Sequence, residues 1–315
     1  MDFKWFVFVS IVIITGLPGF AFSQEYTFDK ISIDQGLSQN SVYCILKDSK
    51  GFMWFGTEDG LNRFNAYTFK VYNTSRDNKF SINSNYTYAI CEIDTGIFLV
   101  GTEKGISIFE PGLDKFTNVF VEKTGNFSVS KIYKDRQNNI WVSTFGKGVM
   151  LFANSTNQLK SIASGSFDRL FLPNEIVYDI VGSNGATIWL ACQNGLKKIG
   201  SYTDDDDECI SEQAFAGKKI RSLLFDGISR LWVGTETGLF LYDITSQDAC
   251  LYTFGGKETM AGLNVIKSIC TDTKDNLWIG TDDGLIVLNQ KTGDYSINKN
   301  SIYNPEGLRD RKSVV

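Results

Sequence analysis

A chain of 315 residues that is 43% apolar and 14% aromatic can bury a substantial core, and 29 glycines against 4 prolines suit many short strands joined by tight turns. Histidine is absent, which excludes an imidazole base, a histidine metal ligand, a Ser-His-Asp triad and a phospho-accepting histidine. A net charge of −5 with no Lys/Arg-rich stretch argues against a nucleic-acid partner.

The N-terminus reads as a secretory signal over residues 1–23. Lys4 supplies the positive start, residues 6–14 the apolar run, and Ala21-Phe22-Ser23 the small-residue cleavage site. The expected mature chain is 24–315, in the periplasm; an uncleaved anchor is the alternative, although the apolar run is short for a span. Nothing beyond residue 24 is apolar for long enough to cross a bilayer as a helix.

Residues 28–33 read as a lone strand. After it comes a tandem repeat. Its markers are Trp54-Phe55-Gly56-Thr57, Leu99-Val100-Gly101-Thr102, Trp141-Val142-Ser143-Thr144, Trp189-Leu190-Ala191-Cys192, Trp232-Val233-Gly234-Thr235 and Trp278-Ile279-Gly280-Thr281. Successive copies are 45, 42, 48, 43 and 46 residues apart. In each copy an alternating apolar stretch precedes a turn, then the marker strand, a Gly-containing turn, a third strand and a weaker fourth. The turn before the marker carries Asp48, Asp135, Asp226 or Asp272 in four copies, placed to accept backbone N–H groups. The third copy has one extra residue between Thr144 and Gly148.

Four short antiparallel strands per unit are the sequence form of a propeller blade, so the expected fold is an all-β propeller. Six blades are complete, and residues 307–315 echo the start of the first unit, which implies a seven-bladed type that is incomplete. The lone strand at 28–33 would latch the last blade, and an open ring would expose blade faces and favour association. The marker tryptophans are read as packing between blades, and the small residue two positions later as room for the next blade. Cys44, Cys91, Cys192 and Cys270 fall in apolar strand patterns and are expected as buried free thiols. Cys209 and Cys250 are placed outside the strands and form the one pair worth testing for a disulfide. The acidic run 204–208 lacks the spacing of a calcium loop and reads as a solvated loop.

The stretch Gly36-Leu37-Ser38-Gln39-Asn40-Ser41-Val42, continuing through Asp48-Ser49-Lys50-Gly51-Phe52-Met53-Trp54-Phe55-Gly56-Thr57-Glu58-Asp59-Gly60-Leu61, resembles the two-component regulator propeller repeat. That repeat builds the periplasmic sensor region of hybrid two-component histidine kinases of Bacteroidetes. The resemblance implies a sensor of periplasmic signals, often glycans, with an oligosaccharide ligand and a second copy of the chain as the partners. Complete members continue into a second propeller, an immunoglobulin-like domain, a membrane span, a kinase, a receiver and a DNA-binding domain. None of these is legible here, so the chain reads as a truncated sensor without signalling output of its own.

No catalytic residue, metal or cofactor is expected. The alternatives are a carboxylate-based glycosidase or lyase-like propeller enzyme and a pure interaction or dimerisation scaffold. A ligand would meet the face gathering the turns after the marker strands and the loops leading into each first strand. The candidates there are Asn40, Asp59, Asn85, Lys104, Lys147, Asn174, Asn194, Asn264 and Asp283, although such residues also form turns.

Overall fold

The computed structural model describes residue 26 and residues 28–121, 125–200, 210–212, 214–254 and 261–299. The expected signal segment, the acidic run 204–208, Cys209 and the echo at 307–315 lie outside the described residues.

Each repeat folds as one four-stranded antiparallel sheet in which successive strands are neighbours. Blade one is β1 (Val42–Lys47), β2 (Met53–Thr57), β3 (Gly60–Phe64) and β4 (Phe69–Tyr72). Blade two is β5 (Thr87–Asp94), β6 (Ile97–Thr102), β7 (Gly105–Glu110) and β8 (Lys115–Asn118). Blade three is β9 (Val129–Lys134), β10 (Ile140–Thr144), β11 (Val149–Phe152) and β12 (Arg169–Phe171). Blade four is β13 (Val177–Gly182), β14 (Ile188–Cys192), β15 (Gly195–Ile199) and β16 (Ile210–Glu212). Blade five is β17 (Ile220–Phe225), β18 (Arg230–Thr235), β19 (Gly238–Asp243) and β20 (Ala249–Tyr252). Blade six is β21 (Ile266–Thr271), β22 (Asn276–Thr281), β23 (Gly284–Asn289) and β24 (Tyr295–Asn298). First strands pack on first strands in chain order, β1 on β5 and so on to β21, and these line the centre. Among the described residues the one α-helix is α1 (Gln158–Ser164), inserted between β11 and β12.

The marker residue of each of the first five blades faces the following blade. Trp54 meets Phe98 and Phe109, with ring centroids 5.1 and 5.7 Å away. Trp141 packs with Ile180 and Leu190, Trp189 with Leu231 and Tyr242, and Trp232 with Ile279 and Leu288. These four tryptophans are buried, while Trp278, on the sixth blade's far side, is partly so. The Gly two residues after the marker permits the approach. A Cβ on Gly101 would lie 2.4 Å from Val129 Cγ1, and one on Gly234 would lie 2.6 Å from Ile266 Cγ2. At the first blade's opposite side Ile45 is 45% exposed, whereas its counterparts Ile90, Ile132, Ile180, Leu223 and Ile269 are buried against the preceding blade.

The turn aspartates do more than hold the first hairpin. Asp48 accepts the Lys50 and Phe52 N–H groups on Oδ1, at 2.9 and 2.8 Å, and the Trp54 indole Nε1–H on Oδ2 at 2.8 Å. Asp135 binds Trp141 in the same way at 2.8 Å, and Asp272 binds Trp278 at 3.0 Å. The carboxylate thus couples the turn to the interblade ring and satisfies the indole donor. Blade four substitutes Ser183 for the acid, 3.1 Å from Trp189 Nε1. Blade five diverts Asp226 to Arg230, and Trp232 donates instead to Gln290 of blade six at 3.1 Å.

The Trp278 hydrogen bond, ahead of those from Asn276 and Lys274, lowers the Asp272 pKa to about 2. An unfolded aspartate titrates near 3.9, so this contribution is present above about pH 4 and is lost as pH falls through about 2. Hydrogen exchange of the Trp278 indole N–H should therefore accelerate between pH 4 and 2. The Trp189 indole, whose acceptor is a hydroxyl, should show no such step.

The lone strand expected at 28–33 does not form. Residues 28–32 are outside any strand, and Ile33–Gln35 is a 3-10 turn. Ser32 and Gln35 build a reciprocal capping box, with the Ser32 N–H donating to Gln35 Oε1 at 2.8 Å, and this local arrangement displaces strand pairing. The N-terminal segment reaches the sixth blade by a side chain instead, the Tyr26 ring lying edge-on to Trp278 at 5.1 Å.

The cysteines depart from expectation at two places. Cys44, Cys91 and Cys192 are free and at least partly buried, but Cys270 is exposed. It occupies the register position of Leu224, paired with the marker Trp and facing away from the preceding blade. Cys250, expected outside the strands, lies in β20 as an exposed free thiol.

Candidate functional site

All six first strands carry a β-bulge at one place. Val42 pairs with Thr57 and Cys44 with Gly56, leaving Tyr43 without a partner across the ladder. The same skip releases Tyr88, Ser130, Tyr178, Arg221 and Lys267. A bulge bends its strand and re-aims the extra residue. Because first strands are innermost, each blade thereby presents one side chain at the mouth of the central channel.

Four of these side chains are held by the turn after the marker strand of their own blade, while Ser130 Oγ bonds Ser143 and the Val177 carbonyl of blade four. Tyr43 Oη donates to Glu58 at 2.7 Å, and Tyr178 Oη donates to Gln193. Arg221 binds Glu236 at 2.8 Å and Lys267 binds Asp282 at 2.9 Å. Burial, then the Glu58 hydrogen bond, raises the Tyr43 pKa, and burial raises that of Tyr88, so both phenols stay neutral. Arg221, then Lys219, lowers the pKa of Glu236 and keeps it ionised.

Five rings form a contiguous arc across blades one to four. Tyr43 and Tyr88 are 4.9 Å apart, Tyr86 and Tyr88 6.5 Å, Tyr88 and Phe145 5.6 Å, and Phe145 and Tyr178 5.9 Å. Phe145 comes from the one-residue insertion of blade three, whose turn makes a bridge to Ile176. Tyr43, Tyr86 and Phe145 are each about 40% exposed, which leaves ring surface open at the mouth. Beyond Tyr178 the surface becomes cationic, with Lys219 Nζ and the Arg221 guanidinium 5.2 and 5.0 Å from its ring centre. An open concavity of about 470 Å³ continues there between blades four and five, lined by Gln193, Asn194, Lys218, Lys219, Thr235 and Glu236 among others. Between the neighbouring first strands β9 and β13, Lys131 binds Asp179 at 3.0 Å, an attraction that raises its pKa.

The marker-strand turns and the leading loops do share one face. Backbone N–H groups of Gly60, Glu103, Phe145, Gln193, Glu236 and Asp282 donate to carbonyls of Asn85, Tyr86, Ser128, Ile176, Lys219 and Val265. Of the nine candidates, Asp59 and Asn85 come together, Asp59 Oδ1 accepting from Asn85 Nδ2 at 3.0 Å and from Asn73 at 3.1 Å. Asn40 accepts the Ile33 N–H at 3.1 Å and Asp283 binds Lys299 at 2.8 Å. The backbone N–H groups of Lys104 and Lys147 cap Thr102 and Thr144 Oγ1. Asn174 holds a left-handed turn at φ 70°, and Asn264 ends a 3-10 turn. Asn194 lines the concavity.

The bulge residues escaped sequence reasoning because a tyrosine in an alternating strand looks like any other strand residue. A signal was present. Residues 43 and 58, 178 and 193, 221 and 236, and 267 and 282 are each 15 apart and chemically matched.

A family model described as "Two component regulator propeller" matches residues 36–59, 123–146 and 261–283. A curated protein of Formosa agariphila, "Histidine kinase P4", is 39% identical over 61 residues, covering 19% of this chain and 4% of that protein. The extracellular domain of BT3049 from B. thetaiotaomicron, named for a hybrid two-component system, superposes with a TM-score of 0.75 at 22% identity. It covers 91% of this chain, which spans 38% of that one. Virginiamycin B lyase from Staphylococcus aureus shares the propeller fold more distantly, with a TM-score of 0.58 at 15% identity over 78% of this chain and 79% of its own. The family model thus matches three of the six repeats, and the solved structures share the propeller fold that all six blades build.

Proposed function

We propose that this propeller is the ligand-sensing part of a hybrid two-component system, that it works outside the cytoplasm, and that it recognises an oligosaccharide without transforming it. The observation that carries the reading is the five-ring arc from Tyr43 to Tyr178. Tilted rings at intervals of 4.9 to 6.5 Å offer apolar faces to sugar rings. The neighbouring amides and hydroxyls of Gln193, Asn194 and Thr235 suit sugar hydroxyls. Export agrees with the extracellular origin of the matched B. thetaiotaomicron domains. Binding without turnover agrees with the engagement of three of the carboxylates at the mouth, Glu58, Glu236 and Asp282, by Tyr43, Arg221 and Lys267.

Isothermal titration of the purified chain with a panel of oligosaccharides tests this. Binding is expected for at least one member, with no product formed. Combining Tyr88→Ala with Phe145→Ala should weaken it about tenfold or more, since each stacked ring is worth about 1 kcal/mol. Melting should change little, because both side chains stand outside the interblade clusters. A panel with no binder, or a double variant that binds as well as the parent, would sink the reading.

A further inference from the structure

The arc ends on charge. Three cations, Lys218, Lys219 and Arg221, surround the concavity beyond Tyr178 or border it, and Glu236 is the one carboxylate lining it. Glu236 Oε1 is shared, 3.1 Å from Lys219 Nζ and 2.8 Å from an Arg221 terminal nitrogen, so it neutralises one of them. Lys218 lies over the Phe240 ring at 5.5 Å. The Arg221 Nε–H is buried and has no hydrogen-bond acceptor. A buried donor left unpaired on a cation is costly, and negative charge beside the guanidinium offsets that cost through space, since the enclosed Nε–H itself is closed to a ligand. The remaining lining, Gln193, Asn194, Thr235 and Thr237, supplies neutral donors and acceptors beside that charge.

We infer that the concavity between blades four and five is an anion subsite, and that the ligand is an acidic oligosaccharide whose carboxylate or sulfate lies against Lys219 and Arg221 while neighbouring sugar rings lie along Tyr178, Phe145 and Tyr88. The inference rests on the oligosaccharide reading above and adds the charge of the ligand to it. The subsite is made at the junction of two blades: Gln193 and Asn194 come from the turn of blade four, the cations from the leading loop and bulge of blade five.

The experiment compares three probes of equal length on the purified chain by titration calorimetry: galacturonic acid oligomers, sulfated galactose oligomers and neutral galactose oligomers. At least one acidic probe is expected to bind about tenfold or more tightly than the neutral one, the margin of a hydrogen bond to a charged group. The favoured probe tells carboxylate from sulfate, and raising the salt should erase the margin. Lys219→Gln and Arg221→Gln should each remove the preference for the acidic over the neutral probe. Glu236→Gln should strengthen acidic binding several-fold, a gain that mere loss of structure cannot produce and that keeps the test open if Arg221→Gln does not fold. Neutral and acidic probes binding equally, or Glu236→Gln weakening the acidic probe, would overturn the anion subsite and leave the oligosaccharide reading standing. Binding of poly-glutamate with no saccharide bound would overturn both the acidic-oligosaccharide ligand and the oligosaccharide reading on which it rests.

Discussion

Trp141→Ala is expected to lower the free energy of unfolding by about 3–5 kcal/mol, the range for truncating a large buried aromatic. Trp141 is fully buried at the contact of blades three and four, among Val177, Ile180, Leu190 and Ile199. Its neighbours are anchored in two separate sheets, so the space left behind closes only if the blades shift against each other. Trp141→Leu should cost less, because blade two carries Leu99 at this register and buries it completely. Urea unfolding followed by circular dichroism measures both. A loss below about 1 kcal/mol for the alanine variant would show that this ring is not a main element of the blade contact.

Asp135→Ala should cost about 3 kcal/mol or more, although it removes only a few atoms. Asp135 is buried and takes the N–H groups of Gln137 and Asn139 on one oxygen, each at 2.9 Å. Its other oxygen accepts Asn139 Nδ2 and Trp141 Nε1, each at 2.8 Å. Deleting the carboxylate leaves several of these donors enclosed without an acceptor. Asp226→Ala is the comparison. Its side chain is just as enclosed, but its donors are the N–H groups of an exposed turn and the half-exposed Arg230, which water can reach once the carboxylate is gone, and it holds no indole, so a smaller loss of about 1 kcal/mol is expected. The Asp135 and Trp141 effects should fall short of additivity by about 1 kcal/mol or more, since each variant removes their shared bond. Full additivity would mean the indole bond contributes nothing.

Much of the fold was legible because a repeat announces itself. The six marker strands, the turn aspartates and the small residue two places on are each explained by a blade meeting the next. Residues 28–33 misled because their apolar alternation competes with the Ser32–Gln35 capping box, and a local hydrogen-bonded turn needs no partner strand. Cys270 misled because periodicity says which residues share a face, not whether that face is covered. Of the site, the face was legible and its chemistry was not. Turn residues such as Asp59, Asn85 and Asp283 attracted attention as polar groups on loops, and the structure uses them to hold those loops. Tyr43, Tyr88 and Tyr178 were hidden because a bulge shifts register by one residue, and only pairing partners reveal such a shift.

The bulges also separate two kinds of inheritance within each repeat. Residues in the ladder are answerable to their neighbours: a change at Trp141 or Gly101 is felt by an adjoining blade. The released residue has no pairing partner in the ladder, and in this one chain the same position is already Tyr, Ser, Arg or Lys. In four of the six blades its companion is the residue 15 places on, so a single duplicated unit could diverge in what it presents by exchanging a matched pair while its scaffold stayed intact. Six such positions around one opening amount to a short combinatorial alphabet, spelled here Tyr-Tyr-Ser-Tyr-Arg-Lys. Copying a blade multiplies the number of letters without redesigning the ring that displays them.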